Sequence, residues 1–266
     1  MKKAIFTLAL LNLTILFYAQ NSVDITYIAN DGFLISGKSG NILVDALGNS
    51  SFNEYDVPSE QLITAITMGN PPFGKIDLYL VTHKDGDHFY APYAINFLKS
   101  HLETKFVSSK QVNKKLLGDN TMHNQICTIS LELGGKKDTI IGTISLKIYR
   151  FKHSGDSAGN NTISLAYLIK LGNIKILHIG DAPIPFNKTY YDSFHLENEN
   201  IDVLFLGYSA LSDVNKCYLQ QIVKPKYIIA MHIPPKEIAE RSKEFLGTYQ
   251  NGFVFMAPME TKTFTK

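Results

Sequence analysis

The stretch THKDGDHF, residues 82–89, places two histidines and two aspartates within six positions at the end of an apolar run. These residues are His83, Asp85, Asp87 and His88. Carboxylates that crowd into one short loop repel each other unless a cation or a solvated surface stabilises them. Imidazole and carboxylate groups are also the side chains that bind zinc and other divalent metals. The stretch therefore predicts a metal site.

Three more residues of these chemical types stand just after apolar runs. His153 comes after LKIYRF, Asp181 after IKILHIG and His232 after YIIAM, much as His83 ends the run KIDLYLVT. Strand ends that lead into loops are where a rigid sheet presents side chains in fixed positions. Taken singly, each residue could be a loop histidine, a turn aspartate or a simple strand end. Their recurrence at four strand ends favours one shared site.

Composition and patterning predict a single domain built from two similar halves. The 266 residues are 45% hydrophobic and 19% charged, which is ordinary for a globular protein. Apolar runs and turn signals predict strands at 23–29, 32–37, 41–46, 75–82, 104–109, within 125–151 and 161–181, and at 202–208, 226–232 and 253–256, with helices at 58–66, 91–100, 110–117, 214–223 and 235–246. This order, β-rich then mixed and again β-rich then mixed, suits an αβ/βα sandwich.

The N-terminus differs in kind from the rest of the chain. Two lysines precede an apolar run from Ala4 to Phe17, and the small residue Ala19 follows. The pattern is typical of a secretory signal peptide over residues 1–20. The run is shorter than the roughly 20 residues that cross a bilayer, so a retained anchor is the less favoured alternative. We expect a periplasmic or secreted protein whose domain covers residues 21–266, without a membrane span after cleavage.

Charge and cysteine content limit the possible partners. Removal of residues 1–20 would lower the formal net charge from +2 to zero, which leaves no electrostatic footprint for nucleic acid and argues against a nuclease. A small-molecule substrate is therefore expected, and the oligomeric state stays open. The sequence has two cysteines, Cys127 and Cys217, which are too few for a disulfide framework. We expect both to be free and buried, without a role at a metal.

The sequence context of the other aromatic and histidine residues predicts where their side chains lie. Aromatic candidates for the mouth of a site are Phe52, Tyr55, Phe73, Phe89 and Tyr90, although aromatic side chains more often belong to the core. The remaining histidines, His101, His123, His178 and His195, are expected to serve packing or the surface.

The segment LVTHKDGDHF resembles the HxHxDH motif of the metallo-β-lactamase superfamily. The histidine at 153, the aspartate of HIGDA at 181 and the histidine of AMHIPP at 232 follow in the order of that family. ITYIANDGFLIS and NILVDA resemble its opening strands, and NTISLAYLIKLGNIKILHIGDAP resembles its central hairpin. The resemblance covers about residues 23–235. Within the superfamily it is closest to the branch of ascorbate-6-phosphate lactonase and the N-acyl-phosphatidylethanolamine phospholipase D type.

This resemblance implies an α+β fold, a four-layer αβ/βα sandwich, with a two-metal site between its halves. One ion would take His83, Asp85 and His153, the other Asp87, His88 and His232, and Asp181 would bridge them. Two divalent ions, zinc in the first place, held about 3.5–4 Å apart can acidify a bridging water to hydroxide. The implied activity is hydrolysis of an ester, lactone, amide or phosphodiester, with Asp87 also moving the proton.

Asp85 stands where the family motif has its middle histidine, and three interpretations compete. Asp85 ligates and retunes the site, which makes manganese or iron possible besides zinc because a carboxylate is the harder donor. Alternatively it is too short to reach, and the site is mononuclear. In the third case the chain is a binding protein with a degenerate site. Six of the seven ligand positions keep the family type, so we favour the retuned site.

Overall fold

The computed structural model describes residues 22–49, 54–116, 122–154, 162–207 and 213–266, and two seven-stranded sheets make up its centre. The first sheet contains β1 (Ser22–Ala29), β2 (Gly32–Gly37), β3 (Gly40–Val44), β4 (Leu78–Leu80), β5 (Lys105–Ser109) and β6 (Ile126–Ile129). The second contains β7 (Lys136–Ile141), β8 (Ile144–Phe151), β9 (Ser164–Leu171), β10 (Ile174–His178), β11 (Val203–Gly207), β12 (Tyr227–Met231) and β13 (Gly252–Val254). The last strand, β14 (Thr261–Thr265), returns to the first sheet beside β1.

The two sheets have the same plan. In the first, β14, β1, β2 and β3 are antiparallel neighbours, and β3 to β6 run parallel. In the second, β7 to β10 are antiparallel neighbours, and β10 to β13 run parallel. Because β8 and β10 are both antiparallel to β9, strands β8, β10 and β12 all end at one edge of the second sheet. The expected pair of similar half-domains and the α+β sandwich are confirmed.

In the described segments, six α-helices and two 3-10 turns connect the strands. The helices are α1 (Glu60–Met68), α2 (Ala91–Ser100), α3 (Lys110–Lys114), α4 (Ile184–Phe194), α5 (Asp213–Ile222) and α6 (Ile238–Thr248), and the 3-10 turns are Leu196–Asn198 and Pro235–Glu237. Ser59 caps α1 by accepting a hydrogen bond from the Leu62 amide, and Gly69 ends it at φ +67°. None of the helices in the described part of the chain is long and apolar enough to cross a membrane.

Two apolar layers hold the sandwich together. Buried side chains of both sheets form the central layer, in which Phe33 of β2 meets Phe205 of β11 with ring centroids 4.4 Å apart. The second layer lies between the first sheet and its helices and includes Phe97 of α2 and Phe106 of β5. A polar link crosses the central layer. The Tyr167 hydroxyl of β9 donates to the carbonyl of Val81, just after β4, and to the carbonyl of Val107 in β5. The two sheets are therefore fixed to each other close to His83.

Several predicted elements differ in extent, and two were missed. The strand expected over 75–82 is regular only over Leu78–Leu80. Strand β14 was not predicted, because its polar residues TKTFT are mostly exposed at a sheet edge and carry little apolar signal. Helix α4 was also not predicted, although its buried Ile184, Asn187, Tyr191 and Phe194 recur at helical spacing.

The two cysteines are free, as expected, but the expected burial is wrong. Cys217 is exposed and Cys127 is only partly buried. On α5, Asn215 and Leu219 are the buried neighbours two positions before and after Cys217. Residues two positions apart on a helix point to opposite sides, so Cys217 faces away from the core.

The Tyr167 link predicts a measurable contribution to stability. Replacing Tyr167 with phenylalanine removes hydrogen bonds of 2.8 Å and 3.1 Å to the carbonyls of Val81 and Val107. We expect the free energy of unfolding to fall by about 1–2 kcal/mol, measured by urea denaturation. Tyr149→Phe is the matched control, since Tyr149 is also buried and its hydroxyl makes no hydrogen bond within the described residues. Equal losses in the two variants would contradict the proposed role of the link.

Candidate metal centre

Four loops bring the seven predicted site residues to one end of the sandwich. The loop after β4 carries His83, Asp85, Asp87 and His88, and the ends of β8, β10 and β12 lead to His153, Asp181 and His232. The two sheets are joined at this end by the Leu165 amide, which donates to the Thr82 carbonyl over 2.9 Å. The cleft between the sheets thus receives side chains from both halves of the fold.

Four of these side chains form a first cluster. Asp85 Oδ2 lies 3.6 Å from His83 Nε2 and 3.4 Å from His153 Nε2. Asp181 Oδ2 lies 3.9 Å and 3.6 Å from the same two nitrogens. His83 is fully buried, whereas Asp85 keeps 28% of its side chain exposed at the outer rim. Asp85 therefore lies within reach of a group held by both imidazoles.

The second cluster shares Asp181. His88 Nε2 lies 3.4 Å from Asp87 Oδ2 and 3.3 Å from Asp181 Oδ1. His232 Nε2 lies 3.3 Å from Asp87 Oδ2 and 3.4 Å from Asp181 Oδ2. Asp181 is thus common to both clusters and lies between them.

These spacings fit metal ligands better than hydrogen bonds. The Nε2 atoms of His83, His88 and His232 and Oδ1 of Asp181 are buried without a hydrogen-bond partner among the described residues. Charge-assisted N–H···O bonds are about 2.7–2.9 Å long, shorter than any of these contacts. Two ligands about 2.0–2.2 Å from a tetrahedral ion lie roughly 3.4 Å apart. Imidazole and carboxylate donors at this spacing fit two divalent ions.

Asp45, at the end of β3, sets the tautomers of two of the imidazoles. It accepts hydrogen bonds from the Thr82 amide (2.8 Å), the Thr82 hydroxyl (2.6 Å) and His88 Nδ1 (2.9 Å). Because the Thr82 hydroxyl gives its proton to Asp45, it accepts from His83 Nδ1 over 3.0 Å. Both imidazoles therefore have a proton on Nδ1, and their Nε2 atoms face the cleft as possible ligands.

Burial and neighbouring charges shift the pKa values of the cluster. Burial, together with His88, lowers the pKa of His83 well below its usual range, which keeps this imidazole neutral. Burial alone would raise the pKa of Asp181, but His232 and His88 hold it well below its usual range. Burial would also lower the pKa of His232, yet Asp181 and Asp31 raise it to about 9.

The turn between β1 and β2 adds two residues that the sequence analysis missed. Asn30, at φ +50°, donates from Nδ2 to Asp87 Oδ2 over 3.1 Å. Asp31 is fully buried, and burial raises its pKa to about 7 against the opposing influence of His232 and His88. His178 shares a hydrogen bond of 3.0 Å with the Asp31 carbonyl and is buried, so it is a packing histidine as expected. Asp45 was likewise missed, although it also follows an apolar strand.

Of the aromatic candidates, Tyr55 lies at the cluster. Its ring contacts the imidazole of His232 with centroids 4.0 Å apart, and its side chain is partly exposed. Phe73 and Phe89 are instead buried between the first sheet and its helices, and Tyr90 packs against Tyr93. The expectation for Phe73 and Phe89 is wrong because their rings are buried in the core, whereas Tyr90 is exposed and packs on Tyr93. Phe52 lies outside the described residues, as do residues 1–20.

The remaining histidines stay apart from the cluster, as expected. His101 contacts the carbonyl of Ile66 at the end of α1 through Nε2, at 3.1 Å. His195 is largely exposed and pairs with Glu197. His123 stands on the surface, just before β6.

Known proteins share this arrangement of strands. A family described as beta-lactamase superfamily domain matches residues 24–232. A UPF0173 metal-dependent hydrolase of Thermococcus kodakarensis is 24% identical over 229 residues, which cover 84% of this chain and 90% of that protein. Its name agrees with the expected metal-dependent hydrolase.

Two solved structures have the same fold. Igni18, a metallo hydrolase of Ignicoccus hospitalis, superposes with a TM-score of 0.64 at 16% identity, over 92% of this chain and 99% of that chain. YhfI of Bacillus subtilis, a metallo-β-lactamase fold protein, superposes with a TM-score of 0.62 at 14% identity, over 91% and 99%. The family match covers most of the chain and includes both clusters. The chain therefore belongs to the metallo-β-lactamase superfamily.

Proposed function

We propose that this protein is a metal-dependent hydrolase with a centre of two divalent ions. The observation that carries the proposal is the convergence of four imidazoles on the shared carboxylate of Asp181, at ligand–ligand spacing. His83, Asp85 and His153 would hold one ion, Asp87, His88 and His232 the other, and Asp181 would bridge them. This is the assignment expected from the sequence.

When bound, such ions supply Lewis acidity and bring the pKa of a water toward neutrality. The side chains of the protein do the rest. Asn30 donates to Oδ2 of Asp87, so Oδ1 is the oxygen of this carboxylate that would hold a proton. Asp45 keeps the imidazoles of His83 and His88 oriented without itself entering the cleft.

We propose that Asp85 is a metal ligand and that its presence does not make the site degenerate. Its Oδ2 lies 3.6 Å and 3.4 Å from the two imidazole nitrogens of its cluster, which are ligand–ligand distances. An anionic oxygen in place of a neutral imidazole lowers the Lewis acidity of that ion and makes harder ions such as manganese or iron possible besides zinc. We therefore expect a centre with a broader metal preference than a histidine-rich one.

The substrate is proposed to be a small molecule with a neutral, reactive carbonyl: a lactone or ester is favoured over an amide, and also over an anionic phosphodiester, whose reacting centre is a phosphoryl group. A weaker Lewis acid acts best on a carbonyl that already has a good leaving group. Tyr55 is placed to contact the substrate because its ring covers one side of His232 and remains partly exposed. This choice also suits the lactonase-like branch that the sequence resembles.

We further propose that the protein is exported and that residues 1–20 are removed. The support is the order of charged, apolar and small residues at the N-terminus. Expression in a Gram-negative host should yield a periplasmic protein whose N-terminal sequence begins within a few residues of position 21. An intact Met1 in a cytoplasmic fraction would contradict this proposal.

The two-ion assignment predicts that different histidines hold different ions. Metal-stripped protein reconstituted with zinc or manganese should bind two ions, counted by mass spectrometry of the metal content. His153→Ala should lose one ion and His232→Ala the other, each with at least a tenfold drop in that affinity. His195→Ala is the control, since its side chain is 69% exposed and outside the cluster.

Turnover distinguishes an enzyme from a binding protein of the same fold. A panel of ester, lactone, amide and phosphodiester substrates should reveal metal-dependent hydrolysis that Asp181→Asn reduces by at least 100-fold without a change in the fold, checked by circular dichroism. Wild-type protein that binds no metal after reconstitution would reject the hydrolase. Stoichiometric metal without any turnover would favour the binding protein.

Asp85 is tested by changing its donor atom. Asp85→His should shift metal preference toward zinc, because an imidazole replaces a hard oxygen donor, and competition between zinc and manganese measures the shift. Asp85→Asn keeps the shape and removes the charge, so it should weaken binding of the ion held by His83 and His153. Unchanged preference and unchanged affinity in both variants would show that position 85 does not ligate.

A further inference from the structure

Asp31 approaches the second cluster from a different part of the chain than its other members. It lies in the turn between β1 and β2, and its side chain is fully buried. Neither of its carboxylate oxygens has a hydrogen-bond partner within the described residues. The imidazole Nδ1 of His88 is 3.9 Å from Asp31 Oδ2, and this nitrogen already donates to Asp45 over 2.9 Å. The carboxylate of Asp31 is therefore buried without a donor of its own.

Such a group is costly unless something charged compensates it. An isolated buried carboxylate loses its hydration, and the penalty is several kcal/mol in proteins. Buried polar groups without partners are rare, and each one calls for an ion, a water or a functional reason. Protonation of its own carboxyl is one compensation open to Asp31, and a cation in the cleft beside His88 and His232 is the other.

The geometry supplies a place for that group. One ligand atom from each of Asp31, His88, Asp181 and His232 lies within 4.8 Å of the other three. Two ligands of one tetrahedral ion are roughly 3.4 Å apart, so the carboxylate of Asp31 would have to move toward the other three groups when an ion binds. We propose that Asp31 is a further ligand of the ion held by His88 and His232. This inference rests on the proposed two-ion centre and adds a residue to it.

The turn that carries Asp31 is held rigidly. His178 shares a hydrogen bond with the Asp31 carbonyl over 3.0 Å, and Asn30 binds Asp87 through its side chain. Gly32 packs so closely that an added Cβ would lie 2.9 Å from the carbonyl oxygen of Asp45. A ligand on a fixed turn loses little conformational freedom when it binds, which favours tight ion binding.

The consequence is an oxygen-rich second position. Asp31, Asp87 and Asp181 would offer three carboxylates there beside two imidazoles. Five or six ligands with hard oxygen atoms suit manganese or iron better than the four-coordinate geometry common for zinc. Neutralising Asp31 should therefore weaken the binding of manganese at the second position more than the binding of zinc.

The test uses Asp31→Asn, which keeps the size of the side chain and removes its charge. Metal-stripped wild-type and variant proteins are titrated with manganese and with zinc by calorimetry, and bound ions are counted. We expect the variant to keep one ion at wild-type affinity and to bind the second at least tenfold more weakly, more so for manganese. The metal-free variant should melt at a temperature equal to or above that of metal-free wild type, since a buried uncompensated charge is gone.

Asp202→Asn is the matched control, because Asp202 is a buried aspartate before β11 that accepts the Lys175 amide over 2.8 Å. It should bind both ions as wild type does. Asp31→Ser replaces Asp31→Asn if the latter does not fold. A variant at position 31 that binds two ions at wild-type affinity, or an equal loss in Asp202→Asn, would overturn this inference alone. Wild-type protein that binds no metal would reject the two-ion centre and this ligand with it.

Discussion

The carboxylate of Asp181 lies among four imidazoles, and the rest of the site is arranged around that contact. His83, His88, His153 and His232 each place Nε2 within 3.3–3.9 Å of an oxygen of Asp181. These distances are too long for charged hydrogen bonds and close to the separation of two ligands on one ion. A largely buried cleft in which donors converge at these distances fits a cation between them.

The fold holds this contact by making both sheets end at the same cleft. Asp181 stands after β10, and His83 stands after β4 of the opposite sheet, so the contact depends on how closely the sheets approach. Gly180 permits that approach: it adopts φ +52°, and a Cβ there would lie 2.8 Å from the side chain of Thr82. The hydrogen bonds of Tyr167 and of the Leu165 amide fix the same region. The duplicated plan of the fold thus places one set of ligands on each half.

The sequence revealed those residues whose chemistry is unusual for their position. Histidine and aspartate directly after apolar strands indicate a site, and all seven such residues meet in the cleft. Asn30 and Asp31 were missed because they act through contacts with residues 57 positions away, which no local pattern encodes. Asp45 does follow an apolar strand, but its role depends on contacts with residues 37 and 43 positions away. The same limit explains β14, since its pairing with β1 joins the two ends of the domain. The exposure of the aromatic rings was predicted wrongly because it depends on which layer of the fold covers each ring.

Charge balance connects the unusual aspartates to the proposed chemistry. On the proposed assignment His83 and His88 are neutral ligands, each with its proton on Nδ1 in the hydrogen bonds around Asp45 and Thr82. On the proposed assignment, the carboxylates of Asp31, Asp85, Asp87 and Asp181 together carry as much negative charge as two divalent ions carry positive charge. A centre without net charge avoids most of the cost of burying ions, but it also has no excess positive charge to attract an anionic phosphodiester. The same carboxylates that make the metal centre stable therefore favour a neutral ester or lactone as its substrate.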